Sequence, residues 1–175
     1  MPSNVPTIAE LLTQCQRSAV HLEMRDQYGV AAEASEFRAW LDTGELDVDP
    51  ASPGWEPWVS LVSEATARGV AVRRARIVSE PVTDYIRWEH ASTSVNVAAG
   101  EQVRWLPRRS ASNLALPGND FWLFDDRIVR WGYFSGDGAL VGHEVTEDPT
   151  AAKLCTEAFA AVWDLAVPHG QYQIR

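Results

Sequence analysis

Residues 121–124 form an uninterrupted run of four large apolar side chains, Phe-Trp-Leu-Phe, between two aspartates. Side chains alternate between the two faces of a β-strand, so a strand with this sequence is apolar on both faces. Such a strand lies inside a sheet that is covered on both sides. The chain must therefore provide helices for both faces of one sheet, which favours an α/β or α+β fold.

The rest of the chain contains the elements that such a sheet needs. Helical spacing of apolar residues predicts helices over residues 8–16, 33–41, 57–68, 81–90 and 149–167. Runs rich in β-branched and aromatic residues predict strands over residues 19–28, 70–78, 102–106, 120–125, 127–134 and 139–146. Turn residues at 125–126 and 135–138 join the last three strands into an antiparallel meander.

A chain of 175 residues is enough for one domain, so we expect residues 1–175 to form a single domain. Within it, residues 1–50 are expected to form an N-terminal extension of helix and strand, and residues 55–168 the α/β core. The predicted core is a mixed sheet of about five to seven strands flanked by helices. It ends in the antiparallel meander and a terminal helix.

The charge of the chain is negative on average but unevenly distributed. The sequence has 24 acidic and 15 basic residues, a formal net charge of −9. This excess argues against direct nucleic-acid binding and against binding to a membrane surface, since clustered basic residues hold both. Residues 68–130, however, contain ten arginines and seven acids, a local excess of +3. We therefore expect an anionic ligand to bind in this central segment.

Several classes of protein are disfavoured because their motifs are missing. The sequence has neither a signal peptide nor a run of about 18 apolar residues, so we expect a cytoplasmic protein without a membrane span. Cys15 and Cys155 are far apart in predicted helices and indicate buried free thiols. Without a Cys/His cluster, a Walker loop or a dinucleotide fingerprint, the sequence predicts neither a metal site nor a cofactor.

Arg74 and Arg76 share one face of the strand predicted over residues 70–78. A buried strand does not hold two unpaired guanidinium groups, so these side chains either pair with carboxylates or line a solvent-filled cleft. In the second case they would bind a phosphate, sulfate or carboxylate. Both alternatives remain open at this point.

The segment 84–90, with the sequence DYIRWEH, is the second candidate region. Its polar and aromatic side chains suit either a ligand pocket or a polar helix with ion pairs at the surface. Arg104 adds a basic group close by in sequence. The candidate ligand-binding residues of this region are Tyr85, Arg87, Trp88 and Arg104. The candidate proton-transfer residues are Asp84, Glu89 and Asp120.

Nine segments carry a resemblance to known proteins, namely residues 16–19, 21–23, 68–70, 78–81, 84–85, 87–89, 104–108, 116–125 and 159–163. In these segments, which span nearly the whole chain, the sequence resembles a family of actinobacterial proteins classed as a domain of unknown function. Members of that family are often found near small helix-turn-helix regulators. The resemblance implies no particular activity.

The order of elements also resembles, more distantly, the phospholipase D-like fold. Catalytic members carry a His, a Lys two positions later, and an Asp five positions beyond the Lys. The equivalent positions here are Asn119, Phe121 and Asp126, so only the Asp is retained. The covalent chemistry needs the imidazole as nucleophile and the ammonium group beside the oxyanion. The resemblance therefore implies a non-catalytic member, with Asn119 and Asp126 at the ligand-binding edge.

The leading hypothesis is a non-catalytic phospholipase D-like domain, with a possible regulatory role, that binds a small anionic ligand or a protein partner. The alternative is a cofactor-independent enzyme of specialised metabolism that performs elimination, cyclisation or group transfer on an anionic substrate. A second alternative is a protein interaction module or a homodimer anchored by Trp55 and Trp58. Shifted carboxylate pKa values in a closed cleft would favour the enzyme. A shallow, open surface at this position would favour the binding domain.

Overall fold

The computed structural model describes residues 5–31 and 33–175. Its strands are β1 (Ser18–Glu23), β2 (Ala71–Val78), β3 (Gln102–Pro107), β4 (Asp120–Phe124), β5 (Ile128–Phe134), β6 (Leu140–Thr146) and β7 (Val167–Pro168). Its helices are α1 (Ile8–Gln14), α2 (Ala34–Thr43), α3 (Glu56–Ala67), α4 (Asp84–Ala98) and α5 (Pro149–Leu165). None of the helices in the described residues is long and apolar enough to cross a membrane.

The seven strands form one mixed sheet in the order β6-β5-β4-β1-β2-β3-β7. β1, β2 and β3 run parallel, and β4, β5 and β6 form the predicted antiparallel meander. β4 pairs antiparallel with β1 and so joins the two halves. β1 is the fourth of the seven strands and thus the middle strand of the sheet. The segment 1–50, which the sequence suggests as an extension, thus supplies the centre of the sheet.

Helices cover both faces of the sheet, as the apolar strand β4 requires. On one face α5 packs against the strands, and the buried residues of this layer include Leu22, Ile77, Leu123, Phe159 and Val162. On the other face, α1 and α3 cover one half, with Leu12, Val62, Val72 and Phe124 buried between them. α4 and α2 cover the other half, around Ile86, Trp88 and Trp105.

Helix α4 differs most from its prediction. It begins at Asp84 rather than Pro81, because the Thr83 side chain accepts a hydrogen bond from the Ile86 N–H and caps the helix. It then continues past the predicted end at His90 to Ala98. Apolar spacing does not reveal this continuation, since its buried residues include the polar Ser92, Thr93 and Asn96.

Several other element ends differ from the prediction, among them that of α1, which ends at Gln14 rather than at residue 16. The strand predicted over residues 19–28 ends at Glu23, and the chain then forms the loop that leads to α2. The terminal helix ends at Leu165 rather than Val167. The next residues are extended and pair with β3 as the edge strand β7. Both cysteines are buried and free, as predicted.

The turn after β4 joins the two halves of the sheet. Asp125 and Asp126 both have positive φ angles, 52° and 55°. The Asp125 carboxylate accepts hydrogen bonds from the backbone N–H groups of Gln16, Arg17 and Ser18 at 2.9, 2.7 and 3.1 Å. Burial of Asp125 would raise its pKa, but these N–H groups hold it below the usual value. Asp125 thus ties the end of β4 to the start of β1.

Replacing Asp125 by Gly removes this carboxylate and leaves a residue that tolerates the positive φ angle. We expect the free energy of unfolding to fall by about 1.5 kcal/mol, because three hydrogen bonds to a partly exposed charge are lost. Asp126→Gly is the matched control, since Asp126 is exposed and shares the backbone conformation. Urea unfolding measures both variants, and equal stabilities would contradict the assigned role of Asp125.

Candidate functional site

A cavity of about 500 Å³ lies on the sheet face opposite α5. Its floor is formed by β1, β2, β4 and β5. Its walls come from α4, the start of α3, the loop before α2, and the hairpin between β5 and β6. The cavity therefore lies over the middle of the sheet, where the parallel and antiparallel halves meet.

Two rows of side chains cross the strands and form the floor of this cavity. From β2 to β5, the first row contains Arg74, His21, Trp122 and Arg130. The second row contains Arg76, Glu23, Asp120 and Gly132. Members of the two rows lie two residues apart along each strand, so all of them point to the same face. The inner face of the sheet is thus polar in its centre.

Buried ion pairs hold the arginines of these rows. Arg74 Nε lies 2.6 Å from Glu101 Oε1, and Arg74 Nη1 lies 3.1 Å from Glu23 Oε1. Arg76 Nε lies 2.6 Å from the other oxygen of Glu23, and its Nη2 lies 3.6 Å from Glu89 Oε1. The sequence left open whether Arg74 and Arg76 pair with carboxylates or line a cleft. In the structure they pair with carboxylates and also line the cavity.

The carboxyl groups around these arginines differ in pKa. Burial alone would raise the pKa of Glu23, but Arg76 and Arg74 hold it well below its usual value. Burial raises the pKa of Glu89 to about 8, because Arg76 offsets it only in part and Glu23 adds repulsion. Burial also raises the pKa of Asp120 to about 6, although Tyr28 donates a hydrogen bond to it. At neutral pH, Glu23 is therefore ionised and Glu89 mostly keeps its proton.

Four side chains that line the cavity have a buried polar atom without a hydrogen-bond partner among the described residues. These atoms are His21 Nδ1, Trp58 Nε1, Trp88 Nε1 and Glu89 Oε2. A buried polar group that makes no hydrogen bond costs about 1–3 kcal/mol, so such groups are rare in folded proteins. The wall of the cavity therefore contains hydrogen-bonding groups that the described residues leave unused.

Two tyrosines connect the aromatic wall to acidic side chains. Tyr28 donates a hydrogen bond to Asp120 Oδ2, and Tyr85 donates one to Glu33 Oε2 at 2.7 Å. The two tyrosine rings are 6.0 Å apart, and Phe134 packs edge-on against Tyr28 at 5.2 Å. Asp120 and Glu33 are thereby held at the same end of the cavity, beside aromatic rings.

The rim of the cavity is also tied at this end. The Gly29 N–H donates a hydrogen bond to the Gly138 carbonyl at 2.9 Å, and Gly29 forms an isolated β-bridge with Ala139. This contact joins the loop that carries Tyr28 and Glu33 to the β5–β6 hairpin that carries Phe134. Two walls of the cavity are thus connected directly.

Six of the candidate residues from the sequence lie together in this cavity, namely Arg74, Arg76, Tyr85, Trp88, Glu89 and Asp120. Those on α4 share one face of the helix, because residues three and four positions apart point in the same direction. The segment 84–90 therefore combines the two alternatives that the sequence left open, a pocket wall and a polar surface helix. One side of it lines a pocket, and the other side is an exposed polar helix surface.

The other five candidates lie elsewhere. Asp84 and Arg87 are exposed, on the outer side of α4, with 4.0 Å between their charged groups. Arg104 lies on the α5 side of the sheet, 4.4 Å above the ring of Trp163. Asn119 and Asp126 are exposed at opposite ends of β4. The five residues of β4 that separate them span about 16 Å, so these two side chains do not share one pocket.

The arginines of residues 68–130 do not gather into one basic cleft. Arg73 and Arg104 both lie over the Trp163 ring, at 5.6 and 4.4 Å, on the sheet face away from the cavity. Arg108 binds Asp26 and the Ser79 hydroxyl at the carboxyl ends of β1 and β2. The positive excess of this segment is therefore distributed over both faces of the sheet and its edge.

Sequence reasoning missed several residues of the site. The polar His21 and Glu23 alternate with the apolar Val20 and Leu22, which is a detectable sign of a polar inner face. Glu101 is 2% exposed and holds Arg74, but it lies in the turn before β3, outside any pattern. Glu33 and Tyr28 come from a loop, and no local sequence signal places them beside α4.

Comparisons with known proteins agree with this architecture. A family model described as domain of unknown function (DUF6879) matches residues 6–174. The solved structure of Nuc from Salmonella typhimurium, described as a phospholipase D family member, is similar with a TM-score of 0.53 and 13% identity, over 91% of this chain and 86% of Nuc. NucT from Helicobacter pylori is similar with a TM-score of 0.53 and 13% identity, over 91% and 87%.

At this identity, the two structures show a likeness of fold alone. The seven-stranded mixed sheet with flanking helices is the phospholipase D-like architecture, which confirms the predicted fold class. No sequence among the curated proteins matches the chain.

Glu101→Gln tests the buried ion pairs under the cavity. We expect the free energy of unfolding to fall by about 3 kcal/mol, because Arg74 then keeps only one of its two negative partners in a buried place. Glu147→Gln is the control, since it breaks the exposed 2.7 Å pair with Arg127 and should change stability by less than about 0.5 kcal/mol. Equal losses in urea unfolding would show that the buried pairs add no stability.

Proposed function

Because the chain belongs to the domain family of unknown function DUF6879 and has the phospholipase D-like fold, we propose that it is a non-catalytic, ligand-binding domain of that fold. The ligand is a small organic molecule that occupies the cavity over the centre of the sheet. A regulatory role, in which the bound molecule signals to a partner, is part of this proposal.

The observation that carries the proposal is the cavity with its unpartnered polar atoms. Its volume of about 500 Å³ is in the usual range for small-molecule sites. Aromatic walls supply apolar contact area, and polar side chains of the lining such as Asp120, Arg130 and His143 supply a few fixed hydrogen-bonding positions. Binding sites commonly combine a mostly apolar surface with a small number of convergent polar groups.

The positions equivalent to the catalytic motif support the non-catalytic part of the proposal. Asn119, at the position of the His, has an exposed amide in place of an imidazole. Phe121, at the position of the Lys, is buried with its ring 5.8 Å from that of Trp131. Neither side chain supplies a nucleophile or a positive charge for phosphodiester chemistry.

Other observations weigh against a protein partner as the main ligand. Trp55 and Trp58, the expected anchors of an interaction module, both line the cavity. Trp55 also donates its indole N–H to the Asp47 carbonyl at 2.9 Å. Both rings therefore contribute to the wall of the pocket more than to a flat exposed surface.

One observation favours an enzyme as the second candidate function. Glu89 and Asp120 line the same cavity, and burial raises the pKa of both carboxyl groups. Groups that titrate near neutral pH can transfer protons. Mass spectrometry of a bound ligand after incubation with the protein distinguishes the two functions, because a binding domain returns the ligand unchanged.

Gly132→Val tests whether the cavity is the binding site. A side chain at Gly132 would project into the floor beside Asp120 and His143, and its Cβ would meet no atom closer than 3.4 Å, so the fold should tolerate it. We expect a ligand found in a panel of nucleotides, sugar phosphates, sulfated metabolites, amines and neutral heterocycles to raise the melting temperature of the wild type. At a hundredfold excess over Kd, the rise is about 5–10 °C, and Gly132→Val should abolish it.

Gly142→Val is the matched control, because Gly142 lies on the adjacent strand and a Cβ there would meet no atom within 4 Å. It should leave the thermal shift unchanged. Ligand binding that survives Gly132→Val at wild-type strength would place the site outside this cavity. Arg76→Ala is a poorer test, since it would leave Glu23 with Arg74 alone and would remove the arginine beside the buried Glu89.

A further inference from the structure

The cavity has more carboxylates than guanidinium groups in its lining. The carboxylates are Glu23, Glu33, Glu89 and Asp120, and the guanidinium groups are Arg74, Arg76 and Arg130. Glu101 adds a further carboxylate directly beneath Arg74. Since Arg74 and Arg76 are bound by Glu23 and Glu101, the acidic side chains left for a ligand are Glu33, Glu89 and Asp120.

These three carboxyl groups are close to one another at one end of the cavity. Asp120 and Glu33 accept hydrogen bonds from Tyr28 and Tyr85, whose rings are 6.0 Å apart. Glu89 follows Tyr85 by one helical turn on the same face of α4. Mutual repulsion contributes to the raised pKa values of this group, since Glu23 and Glu33 both disfavour the ionised form of Glu89.

Glu89 is the member whose bonding is incomplete. Its side chain is more than nine-tenths buried, and Oε1 has a distant ion-pair contact with Arg76 at 3.6 Å. Glu89 lines the cavity, and its Oε2 is buried without a hydrogen-bond partner among residues 5–31 and 33–175. A positive charge placed beside Oε2 would compensate the ionised carboxylate where the protein itself does not.

Aromatic rings surround the same end. Tyr28, Tyr85 and Trp88 lie together, with ring centroids 5.5 Å apart for Tyr85 and Trp88, and Phe134 closes the group beside Tyr28. Faces of aromatic rings attract cations, and rings arranged around a quaternary ammonium group form a recurrent recognition site. Within the described part of the chain, no three acidic, histidine or cysteine side chains converge as the ligands of a metal ion do.

We propose that the cavity selects an organic cation, a substituted or quaternary ammonium group on an apolar or aromatic body, with its charge beside Glu89 and its body against the ring wall. This inference rests on the proposed ligand-binding function and specifies its ligand class. It differs from the anionic ligand that the charge of residues 68–130 suggests. An anion at this end of the cavity would compete with Glu23 and Glu101 for Arg74 and Arg76 and would be repelled by the ionised carboxylates there. Arg130, whose hydrogen bonds involve the Pro6 carbonyl and His143, lies in the other row of the floor.

Three probes of nearly equal shape test the sign of the charge. Choline is a quaternary ammonium cation, 3,3-dimethyl-1-butanol is its neutral carbon analogue, and 3,3-dimethylbutanoate is an anionic analogue. Titration at pH 8.5, followed by the fluorescence of the cavity tryptophans, gives the three dissociation constants. We expect choline to bind about tenfold more tightly than the alcohol, and the anion more weakly than the alcohol.

Glu89→Gln should remove the preference for choline and leave binding of the alcohol unchanged, because the amide keeps the shape of the side chain without its charge. Asp84→Asn is the matched control, since it removes a carboxylate from the outer side of the same helix and should retain the tenfold preference. Circular dichroism verifies that both variants are folded.

The pH dependence gives a second readout. The charged and titratable groups that face Glu89 are Arg74 and Arg76 from β2, Glu23 from β1, Asp120 from β4, Glu33 and Tyr28 from the loop before α2, and Tyr85 from α4. The pKa of Glu89 is raised to about 8, and choline keeps its charge at every pH. Its affinity should therefore rise several-fold between pH 7 and pH 9 in the wild type and change much less in Glu89→Gln, because Asp120, with a pKa raised to about 6, is already mostly ionised at pH 7.

Equal affinity for choline and the alcohol, a preference for the anion, or binding of none of the three probes would overturn the cation inference. The proposed function has a separate criterion. It fails only if the wider panel also yields no ligand whose binding Gly132→Val abolishes. A neutral or anionic ligand that depends on Gly132 would leave the binding function intact and contradict the ligand class.

Discussion

The carboxylate of Glu23 lies between two arginines of the neighbouring parallel strand, in the middle strand of a sheet covered on both faces. A charged group in such a place is tolerated only when it is compensated, so Glu23, Arg74 and Arg76 depend on one another. These three charged side chains make the inner face of the sheet polar. The side of α4 that faces them carries the polar Glu89 and Thr93, both in contact with Arg76, in place of an apolar stripe. The space between helix and sheet is therefore lined by polar groups and was not closed by apolar packing.

The features predicted correctly from the sequence are those with a local cause. The apolar run of β4 and the turn residues at 125–126 and 135–138 each determine the structure within a few residues of themselves, and the meander follows from them. The continuation of α4 to Ala98 was not predicted, because its buried side chains bind other polar groups and carry no apolar period. β7 was not predicted because two residues carry no signal.

The site was predicted only in part, for a related reason. Arg74 and Arg76 drew attention as charges on a buried strand, and the position of their partners depends on how β1 aligns with β2, about fifty residues later in the chain. Proximity in sequence also grouped Arg87 with Tyr85, although two residues along a helix rotate the side chain by about 200°, from the pocket to solvent. Asn119 and Asp126 were grouped because of their spacing in a sequence motif, but they lie at the two ends of β4.

The contact between Gly29 and the β5–β6 hairpin has a consequence for the thermodynamics of recognition. A loop and a hairpin at the rim of a binding site usually lose conformational entropy when a ligand binds between them, and this loss weakens the affinity. Here the two segments are already fastened by a hydrogen bond of the backbone. The conformational entropy of these two segments is thus lost when the protein folds and not when the ligand binds. This side of the cavity is preorganised for binding.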